Sequence, residues 1–226
     1  MAIAIEATGG LVVGTTGATT ASTSCTPAGV DRVGIAITIE RATNTVTGCT
    51  WDGAAMTEIM SFTPSVGSTA TNFRWWAIVN PPASAATVTV TRSGTTSYLT
   101  IGAIALSGAA QAIPTLFDND ASASVTSEEN SITTTVDGSA VLGFGRMDNG
   151  NIAASTGATF IGIAVDGDGT SGDQMSMMRS TTFPTAVAGS VSLTITGATD
   201  SNGQLLLLAV EPAGDVAQNS NFFLVM

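Results

Sequence analysis

Apolar residues alternate with small or polar ones along most of this 226-residue chain. The alternation is clearest in three runs: Ile35-Ala-Ile37-Thr-Ile39, Val88-Thr-Val90 and Val191-Ser-Leu193-Thr-Ile195. Successive side chains of a strand point to opposite faces, so this period of two predicts half-buried β-strands. No window of 11 or more residues carries the apolar stripe of an amphipathic helix, and Asp-Gly and Asn-Gly turn signals recur at short spacing. We therefore predict an all-β fold, a β-sandwich or jelly roll.

The two halves of the chain resemble each other weakly. In each half an aspartate-containing turn leads into an apolar strand, and threonine-rich alternation precedes a second apolar strand. The matched positions are Gly29 with Gly138, Trp51 with Phe160, and Val90 with Ile195. We expect one sandwich domain over residues 11–212, built from related halves at about 11–110 and 116–212. Residues 1–10 and 213–226 fall outside it as an N-terminal and a C-terminal arm.

The chain contains no lysine and no histidine, which excludes many kinds of active site. A Ser-His-Asp triad, a histidine zinc site and a Schiff-base lysine are all impossible. Six arginines stand against 17 carboxylates, for a formal net charge of −11. A basic patch for nucleic acid, or for an anionic membrane, cannot be assembled from six scattered arginines. We therefore expect a structural or binding protein rather than an enzyme, with no nucleic-acid or membrane partner.

The surface and the compartment can also be predicted from composition. Only 10% of the residues are charged, well below the roughly 25% of an average soluble domain, so much of the surface is expected to meet other protein. The first residues lack a basic region and a long apolar region, so a secretory signal is not expected. Cys25 and Cys49 are expected to be buried reduced thiols, or a pair if their strands are neighbours.

The order of motifs resembles a known β-sandwich module. The segment GCTWDGAAMTEI is followed by FRWWAIVNPPASAATVTVTRSG and then by a strand ending in LSGAA, while the second half closes with LLLLAVEPA. This order is similar to a module of tailed-bacteriophage virion proteins and some bacterial surface proteins, and the resemblance covers residues 12–212. It implies a virion-surface or adhesive role and no single activity.

One acidic segment could bind calcium. Asp166, Asp168 and Asp173 lie within a glycine-rich stretch, and calcium takes oxygen ligands at short spacing on such loops. The alternative is a solvated turn, which uses the same residues, and we favour it. Further carboxylates at Asp118, Asp120, Glu128 and Glu129 could supply a glycosidase pair, but 17 carboxylates can also place two together by accident. No cofactor is expected, with calcium as the exception to test.

Two apolar features point to contacts between subunits. The run Phe222-Phe223-Leu224-Val225-Met226 follows a polar stretch and lies beyond the last alternating strand, so it needs cover from another molecule. Trp75 and Trp76 are consecutive in a strand pattern and must face opposite sides. One of them belongs to the core, and the other, Trp76, is assigned to a subunit interface.

These observations predict a bacteriophage capsid decoration protein, made in the host cytoplasm and located in the virion. Its expected partners are the major capsid protein or other virion proteins, and copies of itself, with a trimer as the preferred oligomer. The first alternative is a tail or head-fibre adhesin. The second is a carbohydrate-binding module, which requires an exposed aromatic platform for a host glycan.

Overall fold

The computed structural model describes residues 2–15, 17–41, 45–64, 71–95, 98–148, 152–153, 156–165 and 174–214. Helix is absent from these segments, and the predicted all-β fold is confirmed. The strands are β1 Ala4–Val13, β2 Thr20–Cys25, β3 Val33–Arg41, β4 Val46–Trp51, β5 Ala54–Ala55, β6 Thr57–Phe62, β7 Thr71–Val79, β8 Ala86–Arg92, β9 Leu99–Ser107, β10 Leu116–Thr133, β11 Ala140–Met147, β12 Ile152–Ala153, β13 Ala158–Val165, β14 Gln174–Ser180 and β15 Ser190–Val210.

The first half of the chain forms two sheets. A five-stranded sheet has the order β1-β9-β3-β7-β6, and a four-stranded sheet has the order β2-β8-β4-β5. Every neighbouring pair in them is antiparallel. The β-branched and aromatic residues that predicted these strands suit a pleated surface that is covered by side chains of a second layer.

The second half repeats this topology. Its main sheet has the order β10-β15-β11-β14-β13, which matches β1-β9-β3-β7-β6 strand for strand in chain order. The turns before the central strands also correspond, because Gly29 and Gly138 both adopt positive φ, at 69° and 78°. The weak sequence repeat therefore corresponds to a repeated strand order.

The halves differ in how their outer layers are made. In the second half, β10 and β15 are single long strands, and their parts at 127–133 and 190–196 pair with each other as β2 pairs with β8. Ile195 is therefore the counterpart of Val90. The match of Trp51 with Phe160 is wrong, since Trp51 ends β4 whereas Phe160 lies in β13, the counterpart of β6. The counterpart of β4 is the two-residue β12, and this difference in length displaced the sequence alignment.

One core is shared by the two halves. The five-stranded sheet lies face to face against the main sheet of the second half, and large apolar residues of both interdigitate between them. Phe73 and Phe144 meet across this layer with ring centroids 5.9 Å apart. The principal members of the shared core are Ile35, Ile37, Phe73, Trp75, Ile104, Leu106, Leu142, Phe144, Met175, Met177, Leu206 and Leu208.

Each half also has an outer core on the far face of its main sheet. Trp51, Val88 and Val90 fill it in the first half, and Leu193 and Ile195 do so in the second. The central strands present small residues to these outer cores. Gly34 lies under the Trp51 indole, while Gly143 and Gly145 lie under Leu193 and Ile195. Both faces of the central strands β9 and β11 are thus buried, and the molecule is a four-layer stack.

The amino-terminal residues belong to this stack. β1 pairs with β9 as the edge of the five-stranded sheet, and Ile3 is buried in the shared core. The Ser107 hydroxyl donates a hydrogen bond to the Glu6 carboxylate across the pair. The separate N-terminal arm predicted at residues 1–10 is therefore wrong, because that apolar alternation is used to complete the sheet.

Replacing Gly34 with alanine should destabilise the fold by about 1–3 kcal/mol, the usual cost of overpacking a core. An added Cβ would come within 2.7 Å of the rigid Trp51 ring. Gly48→Ala is the matched control, since Gly48 also lies in a strand but has open space around its Cβ position. Thermal unfolding followed by circular dichroism measures both. Equal melting temperatures for the two variants would contradict this packing.

Candidate functional site

Trp76 is not part of an exposed interface. Trp75 and Trp76 face opposite sides as predicted, but both are buried, and Trp76 is only 5% exposed. The four-stranded sheet covers the face to which Trp76 points, and its indole Nε1 donates a 3.0 Å hydrogen bond to the Thr38 hydroxyl. The interface assignment of Trp76 is therefore wrong. Alternation showed that the two rings diverge, but it could not show that a second sheet lies over the other face.

The predicted calcium ligands Asp166, Asp168 and Asp173 lie outside the described residues. The adjoining strands β13 and β14 are antiparallel partners, with Val165 opposite Gln174. Within the described parts of the chain, no group of three or more acidic, histidine or cysteine residues could hold a metal ion.

We predict that EDTA leaves the melting temperature unchanged, because the acidic segment at 166–173 is read as a turn and the folded layers are stabilised by apolar cores. Differential scanning fluorimetry with EDTA, and then with excess calcium, checks this. A large fall in melting temperature that calcium reverses would establish a structural metal site.

The apolar run Phe222–Met226 also lies outside the described residues, but the structure places the point from which the chain leads to it. After β15, Pro212 pairs with Ala109, and the Ala213 amide donates a 2.8 Å hydrogen bond to the Gly108 carbonyl. Ala2 touches the same segment, since its carbonyl lies beside the Gly108 backbone. The start and the end of the described chain therefore meet where β9 leads into the connector between the halves.

We name this end of the stack the connector surface. It comprises residue 2 and the segments 26–32, 80–85, 108–115, 134–139, 181–189 and 211–214. Hydrogen bonds join these segments, as from the Gly108 amide to Val30 and from the Gly138 amide to Thr185. Three of its valines are unusually exposed for large apolar residues: Val187 at 70%, Val30 at 54% and Val136 at 37%. We take these valines as candidate contact residues of the connector surface.

Two hollows open on this surface. The first, of about 220 Å³, lies between the connector and the end of β15. The second, of about 350 Å³, lies beside the segment 180–192 and includes Val187 in its wall. Glu211 is the one charged residue among the described residues that line either hollow. The first hollow is lined mostly by apolar residues and suits an apolar side chain, whereas six of the ten residues that line the second carry hydroxyl groups.

Two of the described arginines are buried, and the other three lie partly exposed at the surface. Every arginine whose side chain the structure describes is bound by its own chain. Arg92 and Arg146 are almost fully buried, and Arg146 forms an ion pair of 2.5 Å with Asp148. Arg74 pairs with Glu58 at 2.6 Å, and Arg32 donates to the carbonyls of Gly29 and Pro81. Arg179 lies over the Phe183 ring. Carboxylates therefore dominate the exposed charge.

Glu128 is the most unusual ionisable group. It is 1% exposed, one carboxylate oxygen has no hydrogen-bond partner, and the other accepts a 3.3 Å bond from the Ser122 hydroxyl. Burial raises the pKa of this carboxyl to about 7, a shift that the Ser122 bond opposes and the nearby Asp120 charge supports. Glu40 is likewise buried, and its pKa is raised for the same first reason. Sequence reasoning considered Glu128 only as one of several possible glycosidase carboxylates and did not predict its burial, because its surroundings come from a distant strand at Gly203.

Glu128→Gln should stabilise the protein at alkaline pH. The carboxyl ionises near pH 4.5 in the unfolded chain but near 7 in the folded one, so stability falls as the pH rises through this window. The variant has no charge to bury and should gain about 3 kcal/mol at pH 8, since each pKa unit corresponds to about 1.4 kcal/mol. Below pH 4 the gain should vanish.

Urea unfolding at pH 4, 6 and 8 measures this difference. The matched control is Glu129→Gln, the adjacent and exposed carboxylate, which should show no comparable dependence on pH. A Glu128→Gln gain that is the same at all three values would mean that charge burial is not its cause.

Cys25 and Cys49 are free and buried. They lie on β2 and β4, which are separated by β8, and they stand opposite Ala86 and Val90 respectively. Burial raises the pKa of both thiols, that of Cys49 to about 12. Neutral thiols of this kind are poor nucleophiles, so the cysteines act as small core residues.

No protein-family model matches this sequence, and no curated protein is similar to it. In the described part of the chain there is also no helix that is long and apolar enough to cross a membrane. The connector surface is therefore interpreted from its own geometry.

Proposed function

We propose that this chain is a structural protein of a bacteriophage virion, a decoration protein that binds the outside of the capsid and stabilises it. The observation that carries the proposal is the connector surface. Exposed valines, two hollows and the exit toward the apolar run Phe222–Met226 all lie at one end of a rigid stack. A protein that attaches by one end, and repeats over a symmetric shell, needs this concentration of contacts.

The remaining surface supports a passive role. The catalytic chemistry left to the chain is that of carboxylates, and the most perturbed one, Glu128, is sealed beneath strand residues. The described arginines are engaged by groups of their own chain, and carboxylates outnumber arginines 17 to six, so the outer surface should repel nucleic acid. The partner on the capsid is expected to be a neutral or basic protein surface with apolar side chains that contact the exposed valines.

Rigidity is the second property that a decoration protein requires. The shared core fixes the halves to each other, and the two outer cores fix the remaining layers to the main sheets. Burial of apolar surface contributes about 25 cal/mol per Å², so the three cores stabilise the contact between the halves and between the layers of each half.

The alternative of a carbohydrate-binding module has lost its main support. All three tryptophans are buried, and among the aromatic residues described only Phe117 is more than a third exposed. A stacking platform for a glycan requires several exposed rings, and no described site offers it.

The tail or head-fibre adhesin differs from the decoration protein in copy number rather than in fold.

Copy number in purified particles is the direct test. Quantitative mass spectrometry against the major capsid protein should give one copy, or a fixed small fraction of a copy, per capsid subunit. A few copies per particle would identify a tail or fibre protein instead. If the protein is absent from purified particles, the virion proposal is rejected.

Deleting residues 215–226 should leave a folded protein that binds particles at least tenfold more weakly. The described cores end before Gly214, so the unfolding transition should shift little, whereas loss of large apolar contacts removes about 1.5–3 kcal/mol for each buried side chain. Sedimentation with stripped particles measures the binding. Unchanged binding would show that the C-terminal segment is not an anchor.

A further inference from the structure

We propose that the hollow between the connector and the end of β15 receives the apolar run Phe222–Met226 of a second copy of this chain. We name it the connector hollow, and nine residues line it: Ala110, Ala112, Ile113, Pro114, Thr115, Leu116, Ala209, Val210 and Glu211. This inference rests on the proposal that the connector surface is used in assembly, and it identifies one partner as a second copy of this chain.

The size and lining of the connector hollow fit an aromatic side chain. Its volume is about 220 Å³, and a cavity of about 150 Å³ already holds a benzene ring. Ile113, Pro114 and Leu116 supply apolar walls, and only Glu211 among the nine lining residues carries a charge. The run Phe222–Met226 has no charged side chain, so it brings no charge of its own into the hollow.

The direction of the chain leads away from its own hollow. The Ala110 amide donates to the Glu211 carbonyl, Pro212 then pairs with Ala109, and the Ala213 amide donates to the Gly108 carbonyl. The chain therefore passes the lining residue 110 first and moves toward Val30 of the first half, whose carbonyl accepts from the Gly108 amide. To fill its own hollow, the segment would have to reverse over the path it has just taken.

The length of the polar spacer also favours a neighbouring copy. Residues 215–221 separate Gly214 from the apolar run. Seven residues span up to about 24 Å when extended, whereas a return to a hollow a few residues away needs only a short turn. A copy that lies beside the first, with its connector surface turned the same way, would place its hollow within this reach and leave the exposed valines of both copies free for the capsid.

Site-directed cross-linking tests the exchange with the full-length protein. One preparation carries Ala112→Cys, on the exposed rim of the hollow, and a second, with a different tag, carries Leu224→Cys. The native cysteines are buried and should not react. After mixing and mild oxidation, we expect a disulfide-linked pair that contains both tags. The matched control is Thr95→Cys with Leu224→Cys, because Thr95 is exposed at the opposite end, between β8 and β9.

The results separate the possible occupants. A mixed pair formed at least fivefold more with Ala112→Cys than with Thr95→Cys supports exchange between copies. A double variant, Ala112→Cys with Leu224→Cys, that closes only within single chains at every concentration overturns it in favour of the chain's own segment. Cross-linking no higher than the control also overturns it and leaves another virion protein as the occupant.

The solution mass gives a second readout. Light scattering should show an oligomer for the full-length chain and monomers for Phe222→Ser/Phe223→Ser, a change outside the described cores. A full-length chain that is monomeric at every concentration rejects the exchange. These measurements use the isolated protein and do not depend on particles. Exchange between copies can therefore be found even if the protein is absent from virions, and it can be absent even if virions contain many copies.

Discussion

The burial of both faces of the two main sheets is the constraint on which the rest of the structure depends. β9 and β11 are buried along their whole lengths, because the shared core lies on one side and an outer core on the other. A sheet with both faces buried needs a layer of side chains on each side. The chain provides three such layers for its two main sheets by repeating one topology and joining the repeats face to face. The ends of the strands then carry the loops, and the connector surface follows from this arrangement.

Sequence patterns predicted the strands well but not the depth at which they lie. Alternation located β3, β8 and β15, and paired glycines located equivalent turns at Gly29 and Gly138. Alternation cannot distinguish a face exposed to solvent from one covered by a second sheet, which is why Trp76 was misassigned. Small residues on the central strands, such as Gly34 and Gly143, were the available sign of a covered outer face.

The special environment of Glu128 was beyond prediction for a different reason. Its neighbours Ser122 and Gly203 meet it where β10 and β15 change register, and neither the register shift nor the approach of Gly203 follows from local composition. The same holds for Arg146 and Asp148, two residues apart on a strand end and buried together. Long-range pairing decides which charges are internal: Arg92 and Arg146 are buried together with Glu40, Glu128 and Asp148, so the outer surface keeps nearly all of the acidic excess.

The meeting of Ala2, Gly108 and Ala213 at one place has a consequence for how such a molecule could arise and be altered. The first and last described residues of the first half lie close together, and those of the second half lie beside them. The backbone of each half therefore follows a nearly closed path, and the two paths meet at the connector. Two separate copies of a half could therefore have been joined by a short bridge without moving a strand. New chain ends placed in the loops of this region would likewise leave every layer intact. A peptide fused to such an end would emerge at the connector surface.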